Sequence, residues 1–411
     1  MPRVAICFWR LGPYHHARLE AAARLMEVEA IEFVGHDDVY SWDLVDGARG
    51  FRRSTLQATY DGSRSARRRA VEKMDATLSR VRPDVVAIPG WALPDALMAL
   101  IWCRRHRTPA VLMSESTAWD SPRHPLKECL KRRVVGQCSA ALVGGSSHVE
   151  YAVDLGMPRD AVWSGYDVVD NAHFAQGAEA ARTSAPAHRQ RLGLDRPYFL
   201  ASARFLPQKN LMGLMEAFAL SLGCDAEHDH GWDLVILGNG PLRGALEARR
   251  GELALIGRVH MPGFVQFPEL PTYYGLASAF VHVSTMEPWG LVVNEAMASG
   301  LPVVVSRRCG CAADLVRDGQ NGFTVDPGNL PAMADLLREM TKATFPLLAM
   351  AEASCRLIRD WSPSRFAEGL RHAADHAMNR GPRANRTIDT LILQCLLRRS
   401  SNQGASPKAD S

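Results

Sequence analysis

The sequence predicts an α/β chain built on two doubly wound parallel sheets, and three observations carry that expectation. Short β-branched apolar runs alternate with helical stretches in both halves. The 411 residues exceed what one hydrophobic core usually supports, so two domains are expected. An Ala/Arg/Pro-rich break between Gln176 and Arg196 separates the halves. With 47% hydrophobic and 22% charged residues, the composition is that of a globular protein rather than a disordered one.

The elements follow in order. Met1-Pro-Arg-Val-Ala-Ile-Cys-Phe8 reads as a first strand and lacks the charged-then-apolar-then-small layout of a signal peptide. Asp84–Ile88 is a buried strand that meets a glycine turn and a helical run from Leu93 to Arg105. Pro109–Met113 and Ala140–Val143 repeat the strand pattern. In the second half, Phe199–Ala203, Leu234–Leu237 and Ala279–Ser284 read as buried strands. Leu291–Ser299 forms a helix that Gly300 stops, and Pro302–Val305 resumes as a strand. Ser364–Met378 is a late helical run. No run of eighteen apolar residues predicts a membrane-spanning helix. Nine scattered cysteines suit a reducing cytoplasm, and Cys309-Gly-Cys311 lacks the second ligand pair that a zinc site needs.

The most specific chemistry lies in Glu287-Pro-Trp-Gly-Leu-Val-Val-Asn-Glu295. A free helix N-terminus after a parallel strand presents unpaired amides and the positive end of the helix dipole, which suits a phosphate. Gly290 and Leu291 would offer those amides. Glu295, one turn along the helix, can accept two hydrogen bonds from a vicinal diol such as a ribose. Glu287 can hold a second hydroxylated group. Phosphate, diol and a further polyol in a row describe a nucleotide-sugar. In Phe199-Leu-Ala-Ser-Ala-Arg204-Phe-Leu-Pro-Gln-Lys209, a strand ends in a loop that presents Arg204 and Lys209, two cations able to neutralise a departing diphosphate.

These motifs resemble the donor site of the retaining family-4 (group 1) glycosyltransferases of the GT-B fold, over about Val4 to Phe366. The resemblance implies two Rossmann-like domains facing a central cleft. Residues 1–185 would form the acceptor-binding domain, 186–363 the nucleotide-sugar domain, 364–380 a helix crossing back, and 381–411 a partly disordered tail. Arg204 and Lys209 occupy the positions of the family's diphosphate-binding pair. Leu234-Val-Ile-Leu-Gly238-Asn-Gly240 would border the nucleotide, and the loop His260-Met-Pro-Gly-Phe-Val265 would lie near the base. The donor would be a UDP- or GDP-sugar, with no separate cofactor and no metal. The acceptor would be a sugar or a lipid-linked hydroxyl in cell-surface polysaccharide or glycolipid synthesis.

The first half departs from the family pattern. Where the family carries paired glycines near the donor phosphates, Gly12-Pro13 stands, followed by His15 and His16. Histidine titrates near neutral pH, so both are acid/base candidates, although adjacent loop histidines more often face solvent. At the end of the strand Val111-Leu-Met-Ser114, many relatives place a histidine near the transferred sugar. Here the position is Glu115, read equally as a weak base or as a local cap. Arg64, Arg67, Arg68 and Arg69 form one basic run, and Lys127, Lys131, Arg132 and Arg133 another. A solvated face is the leading reading of these runs, and an anionic membrane surface on the cytoplasmic side is the second. The formal charge of +4 and the absence of a reader motif argue against nucleic acid. Leu391–Leu397 is expected to dock on the protein body or on a membrane, with disordered residues after it.

The sequence therefore reads as a glycosyltransferase that transfers with retention. A nucleotide-sugar epimerase of the same fold and a non-catalytic nucleotide-sugar-binding protein stand as alternatives.

Overall fold

The computed structural model describes residues 1–36, 47, 50–91, 93–223, 231–384 and 387–399. Two compact units emerge. The first comprises Met1–Val169 with the chain from Ser362 onward, and the second is Asp170–Trp361.

The first unit holds a seven-stranded sheet in the order β3-β2-β1-β4-β5-β6-β7. Its strands are β1 (Arg3–Phe8), β2 (Glu27–Val34), β3 (Arg52–Gln57), β4 (Val85–Pro89), β5 (Ala110–Ser114), β6 (Ala140–Val143) and β7 (Val162–Ser164). The second unit holds β8 (Tyr198–Ser202), β9 (Asp233–Leu237), β10 (Val259–Gly263), β11 (Ala279–His282), β12 (Val303–Ser306) and β13 (Gly322–Val325). They order as β10-β9-β8-β11-β12-β13. Every pairing within both sheets is parallel. Strands covered by helices on both faces are largely apolar, and β6, β9, β11 and β12 are buried along their whole length, with polar residues only at the ends of the last three. In each sheet the order reverses beside the first strand of the unit, which places ligand chemistry at the carboxyl ends of the neighbouring strands.

The segment read as the break between domains is helical. Asn171–Thr183 and Ala185–Leu192 are helices, as their alanine and arginine content favours. The expected boundary at 185/186 thus lies inside the second unit. Phe174, Ala178 and Ala181 are buried there, and Ala178 approaches Gly275 of the Leu270–Leu276 helix so closely that a side chain at Gly275 would meet the Ala178 carbonyl at 2.5 Å.

The chain rejoins the first unit through the Pro363–Arg380 helix. Phe366, Leu370, Ala373, Ala374 and Ala377 recur at three- and four-residue steps and bury one face against the Pro13–Ala23 helix, β6 and β7. The tail carries a further helix, Thr387–Arg399, with Leu393 fully buried in the first core. The disorder expected beyond it concerns residues 400–411, outside those described. No helix among the described residues is long and apolar enough to cross a membrane.

Candidate functional site

Three loops of the second unit meet at the carboxyl ends of β8, β9 and β11. The β8 loop closes in a short 3-10 turn, Pro207–Lys209, that ends at Asn210 in the left-handed conformation (φ 55°), a region asparagine tolerates. Asn210 Nδ2 donates to the carbonyls of Val283 (3.2 Å) and Pro327 (3.0 Å), and the Thr285 amide donates to Gln208 O (2.8 Å). These bonds fix Lys209 beside the end of β11.

Lys209 Nζ donates to Glu287 Oε2 at 2.6 Å, with both side chains buried. The same oxygen receives His282 Nε2 at 2.9 Å and Ser284 Oγ at 3.2 Å. Burial alone would raise the Glu287 carboxyl, but the Lys209 charge and His282 outweigh it and hold it well below the usual carboxylate range. Glu287 is therefore an anion, and Nε2 of His282 carries the proton that bonds it. A strap formed by residues 306–311 pins the loop from behind: Gly310 N donates to Glu287 O (3.0 Å) and Cys311 N to Trp289 O (3.2 Å). Cys309 and Cys311 are buried parts of that strap, in keeping with a structural role.

Gly290 follows with φ 100° and begins the Leu291–Ala298 helix. A side chain there would lie 3.4 Å from Glu287 Cγ and 3.6 Å from both His282 Cδ2 and Cys311 Sγ, in a conformation L-residues rarely adopt. Glycine thus lets the helix start against the Glu287–His282 pair. The first-turn amides, those of Gly290 and Leu291 among them, have no acceptor within the helix. One turn on, Glu295 is buried and receives the Tyr274 hydroxyl at 2.6 Å through Oε2.

Arg204 is half-buried on the β8 loop. The Gly238–Gly240 turn supports that loop: Ala203 N donates to Leu237 O (3.0 Å) and Phe205 N to Asn239 O (2.8 Å). A side chain at Gly238 would collide with the Ala203 carbonyl at 1.9 Å, and one at Gly240 would meet Phe205 backbone at 2.8 Å. The two glycines are needed because two loops touch, whatever else approaches them. Gly238 N also donates to Gly263 O (2.8 Å), which joins this turn to the chain leading to half-buried Val265. The loop expected from His260 starts later. Val259–Gly263 is β10, and His260 is turned back to Asp233 at 2.8 Å, at the start of β9.

The structure therefore brings Lys209, Glu287, Gly290 and Leu291 together, with Arg204, Gly238, Gly240 and Val265 on loops bonded in series beside them. Sequence reasoning missed His282 and Tyr274. A histidine in an otherwise apolar strand, five residues before Glu287, was the signal for the first; Tyr274 sits on a separate element and gave none.

Glu115, Gly12, His15 and His16 belong to the first unit. Gly12 precedes the Pro13–Ala23 helix with φ −121°, and its amide donates to His15 Nδ1 at 3.0 Å. The Leu11 amide is held by Glu32 at 2.8 Å. The Gly12 amide is thus already engaged locally. Burial, reinforced by the charges of Arg18 and His16, pushes His15 down to about 3, so it is neutral at pH 7. Burial also lowers His16, with Arg53 adding to the effect. Both therefore lie below the ordinary histidine value, and His15 lies too far below it to serve as an acid/base group at neutral pH. Glu115, half-buried after β5, meets the carboxyl of fully buried Asp167. Burial pushes Asp167 up to about 7 against the opposing pull of Arg18, 3.9 Å away, and of Glu115. Two carboxyls so placed share a proton.

Known proteins resemble this chain in the sequence of its second half and in its fold. Residues 185–353 match the family model for glycosyl transferases group 1. Alpha-D-kanosaminyltransferase of Streptomyces kanamyceticus is 33% identical over 155 residues, 37% of this chain and 38% of that protein. The 2-deoxystreptamine glucosyltransferase of the same organism is 26% identical over 273 residues, 66% of each. A probable sucrose-phosphate synthase of Craterostigma plantagineum is 31% identical over 163 residues, but the match spans only 15% of its length. Among solved structures, Anabaena HepE in complex with UDP and glucose superposes with a TM-score of 0.71 at 18% identity, covering 90% of this chain and 98% of that one. A UDP-forming trehalose-phosphate synthase from Burkholderia xenovorans gives 0.73 at 14% identity, covering 91% and 99%. Residues 185–353 are thus similar to the group 1 glycosyl transferases, and the two parallel sheets of the chain are those of the GT-B fold.

Proposed function

We propose that the protein transfers a sugar from a nucleoside-diphosphate sugar to an acceptor hydroxyl with retention of configuration, the second unit binding the donor and the first the acceptor. The observation that carries this reading is the buried Lys209–Glu287 pair set against the glycine-started helix. As the glycosidic bond breaks, negative charge builds on the diphosphate. Lys209, Arg204 and the amides of Gly290 and Leu291 stabilise it electrostatically. An ammonium has three donors, so Lys209 can hold Glu287 and a phosphate oxygen together. Glu295, oriented by Tyr274, anchors the ribose, and Glu287 orients the sugar hydroxyls. The leaving phosphate takes the proton of the incoming hydroxyl. Two cations and a helix end supply the positive charge, so the scheme calls on no metal.

The UDP held by HepE supports a uridine donor. For the acceptor, the likeness to 2-deoxystreptamine glucosyltransferase supports an aminocyclitol, as a second reading beside a sugar or lipid-linked hydroxyl. A thermal-shift panel of nucleoside-diphosphate sugars tests the donor. A ligand bound only by the folded state raises Tm, by about 2.7 kcal/mol of stabilisation at one hundred times Kd. No shift with any UDP- or GDP-sugar would count against the reading. Donor turnover without an acceptor would point to an epimerase.

A further inference from the structure

We infer that the face built on the Thr387–Arg399 helix docks on an anionic lipid bilayer. The helix has two sides. Leu393 is fully buried, and Leu396 and Leu397 pack partly buried against the first core. On the other side Ile388 and Leu391 are 54% and 56% exposed, and Cys395 is exposed. These three positions follow at steps of three and four, so they form one apolar stripe open to solvent.

Both basic runs converge on this helix. At its carboxyl end, Arg67 donates to the carbonyls of Leu397 (3.3 Å) and Arg398 (3.2 Å). Near its amino end, Arg133 pairs with Asp389 at 3.6 Å, and Arg104 donates to Thr390 Oγ1 at 3.2 Å. Arg67 carries Arg64, Arg68 and Arg69 with it, all exposed on the Arg64–Val81 helix. Arg133 carries exposed Lys127 and Arg132 on the Pro125–Val135 helix, whose first turn also exposes Leu126 at 71%. Acids on these helices are largely engaged: Asp389 with Arg133, Glu72 with Arg68, and Glu128 with Arg123 and Lys131.

A narrow apolar stripe flanked at both ends by cations matches the chemistry of a bilayer interface. Apolar side chains enter the acyl boundary while arginines and lysines meet anionic headgroups. A stable protein partner would call for an interface of about 1,000 Å² or more, wider than this three-residue stripe. The face is independent of the donor site, so it stands whether or not the acceptor is lipid-linked.

The test is co-sedimentation of the full chain with vesicles of phosphatidylcholine alone or mixed with phosphatidylglycerol. Binding to the mixed vesicles is expected to exceed that to phosphatidylcholine by about tenfold or more, and to fall steeply at high salt. The pair Ile388→Ser with Leu391→Ser, and separately Arg64→Glu with Arg132→Glu, should each weaken it about tenfold. All four residues are exposed, so folding and nucleotide-dependent thermal shifts should be unchanged. Equal binding to both vesicle types, or none, overturns the inference. So does self-association in sedimentation that the serine pair abolishes, since the stripe would then be an interface between copies of this chain.

Discussion

Lys209 is the residue on which the proposed chemistry turns. Its ammonium faces a carboxylate that is itself bonded by His282 and Ser284, so deleting it leaves Glu287 buried with weaker partners. Breaking such a pair costs roughly 3–5 kcal/mol of stability, because a charge stays buried without its counterion. Lys209→Ala should therefore melt earlier but still fold, while its turnover drops by about two to three orders of magnitude, the scale of one lost electrostatic stabiliser. Steady-state kinetics on folded protein decide the matter, and unchanged turnover would remove Lys209 from the mechanism. The two acids of the motif and both cations were legible from their spacing and from the strand ends that carry them. His282 was not, because only the path of the loop from Ser284 to Glu287 shows that a strand residue meets a carboxylate beyond the turn. Tyr274 is 21 residues from Glu295 and arrives on another helix, a contact made by tertiary packing alone.

Among elements, the turn after β9 and the turn after β1 make opposite demands on their glycines. Gly238 has φ 126° and no room for a methyl group, since the Ala203 carbonyl occupies the place. Gly238→Ala should destabilise by about 3 kcal/mol or more, measured by urea unfolding. Gly12 has an ordinary extended φ, and its nearest atom to an added methyl is 3.8 Å away. Gly12→Ala should be neutral, or stabilising by about 0.5 kcal/mol. Strands and helices of the second half were legible because fully buried parallel strands are continuous apolar runs. The helices Asn171–Thr183 and Ala185–Leu192 were mistaken for a break because their alanine- and arginine-rich composition resembles a linker, while their partner, the Leu270–Leu276 helix, lies far along the chain. In the tail, Leu391–Leu397 was legible as a docking segment but the extent of its helix was not, because what orders it is Leu393 in a core formed by residues hundreds of positions earlier.

Over the whole molecule, buried acids give the two units opposite responses to pH. In the first unit, burial raises Asp95 and Asp167 from an ordinary 3.8 to about 7. Backbone amides at the start of the Pro94–His106 helix oppose the shift of Asp95, and Arg18 with Glu115 opposes that of Asp167. Between those values the folded unit binds more protons than the unfolded chain, so its stability falls as pH rises from about 4 to about 7. Each unit of pKa difference corresponds to about 1.4 kcal/mol. In the second unit Glu287 is depressed below its ordinary 4.5, so its contribution is full above that value and is lost as pH falls below it. Calorimetry across pH 3–8 should show the first-unit transition weakening toward neutrality, and Asp95→Asn should flatten part of that slope while Asp167 retains the remainder. An unaltered slope would mean that Asp95 is not the group responsible.

The single oxygen of Glu287 that gathers Lys209, His282 and Ser284 also has a kinetic meaning. In the proposed scheme the Lys209 ammonium would divide its charge between Glu287 and an arriving diphosphate, and that sharing would help release the spent nucleotide. Glu287→Gln should consequently bind nucleoside diphosphate more tightly, with slower dissociation in stopped-flow, even as sugar transfer declines. Weak grip on the product would thus be a property built into the resting protein, held ready by three hydrogen bonds before any substrate arrives.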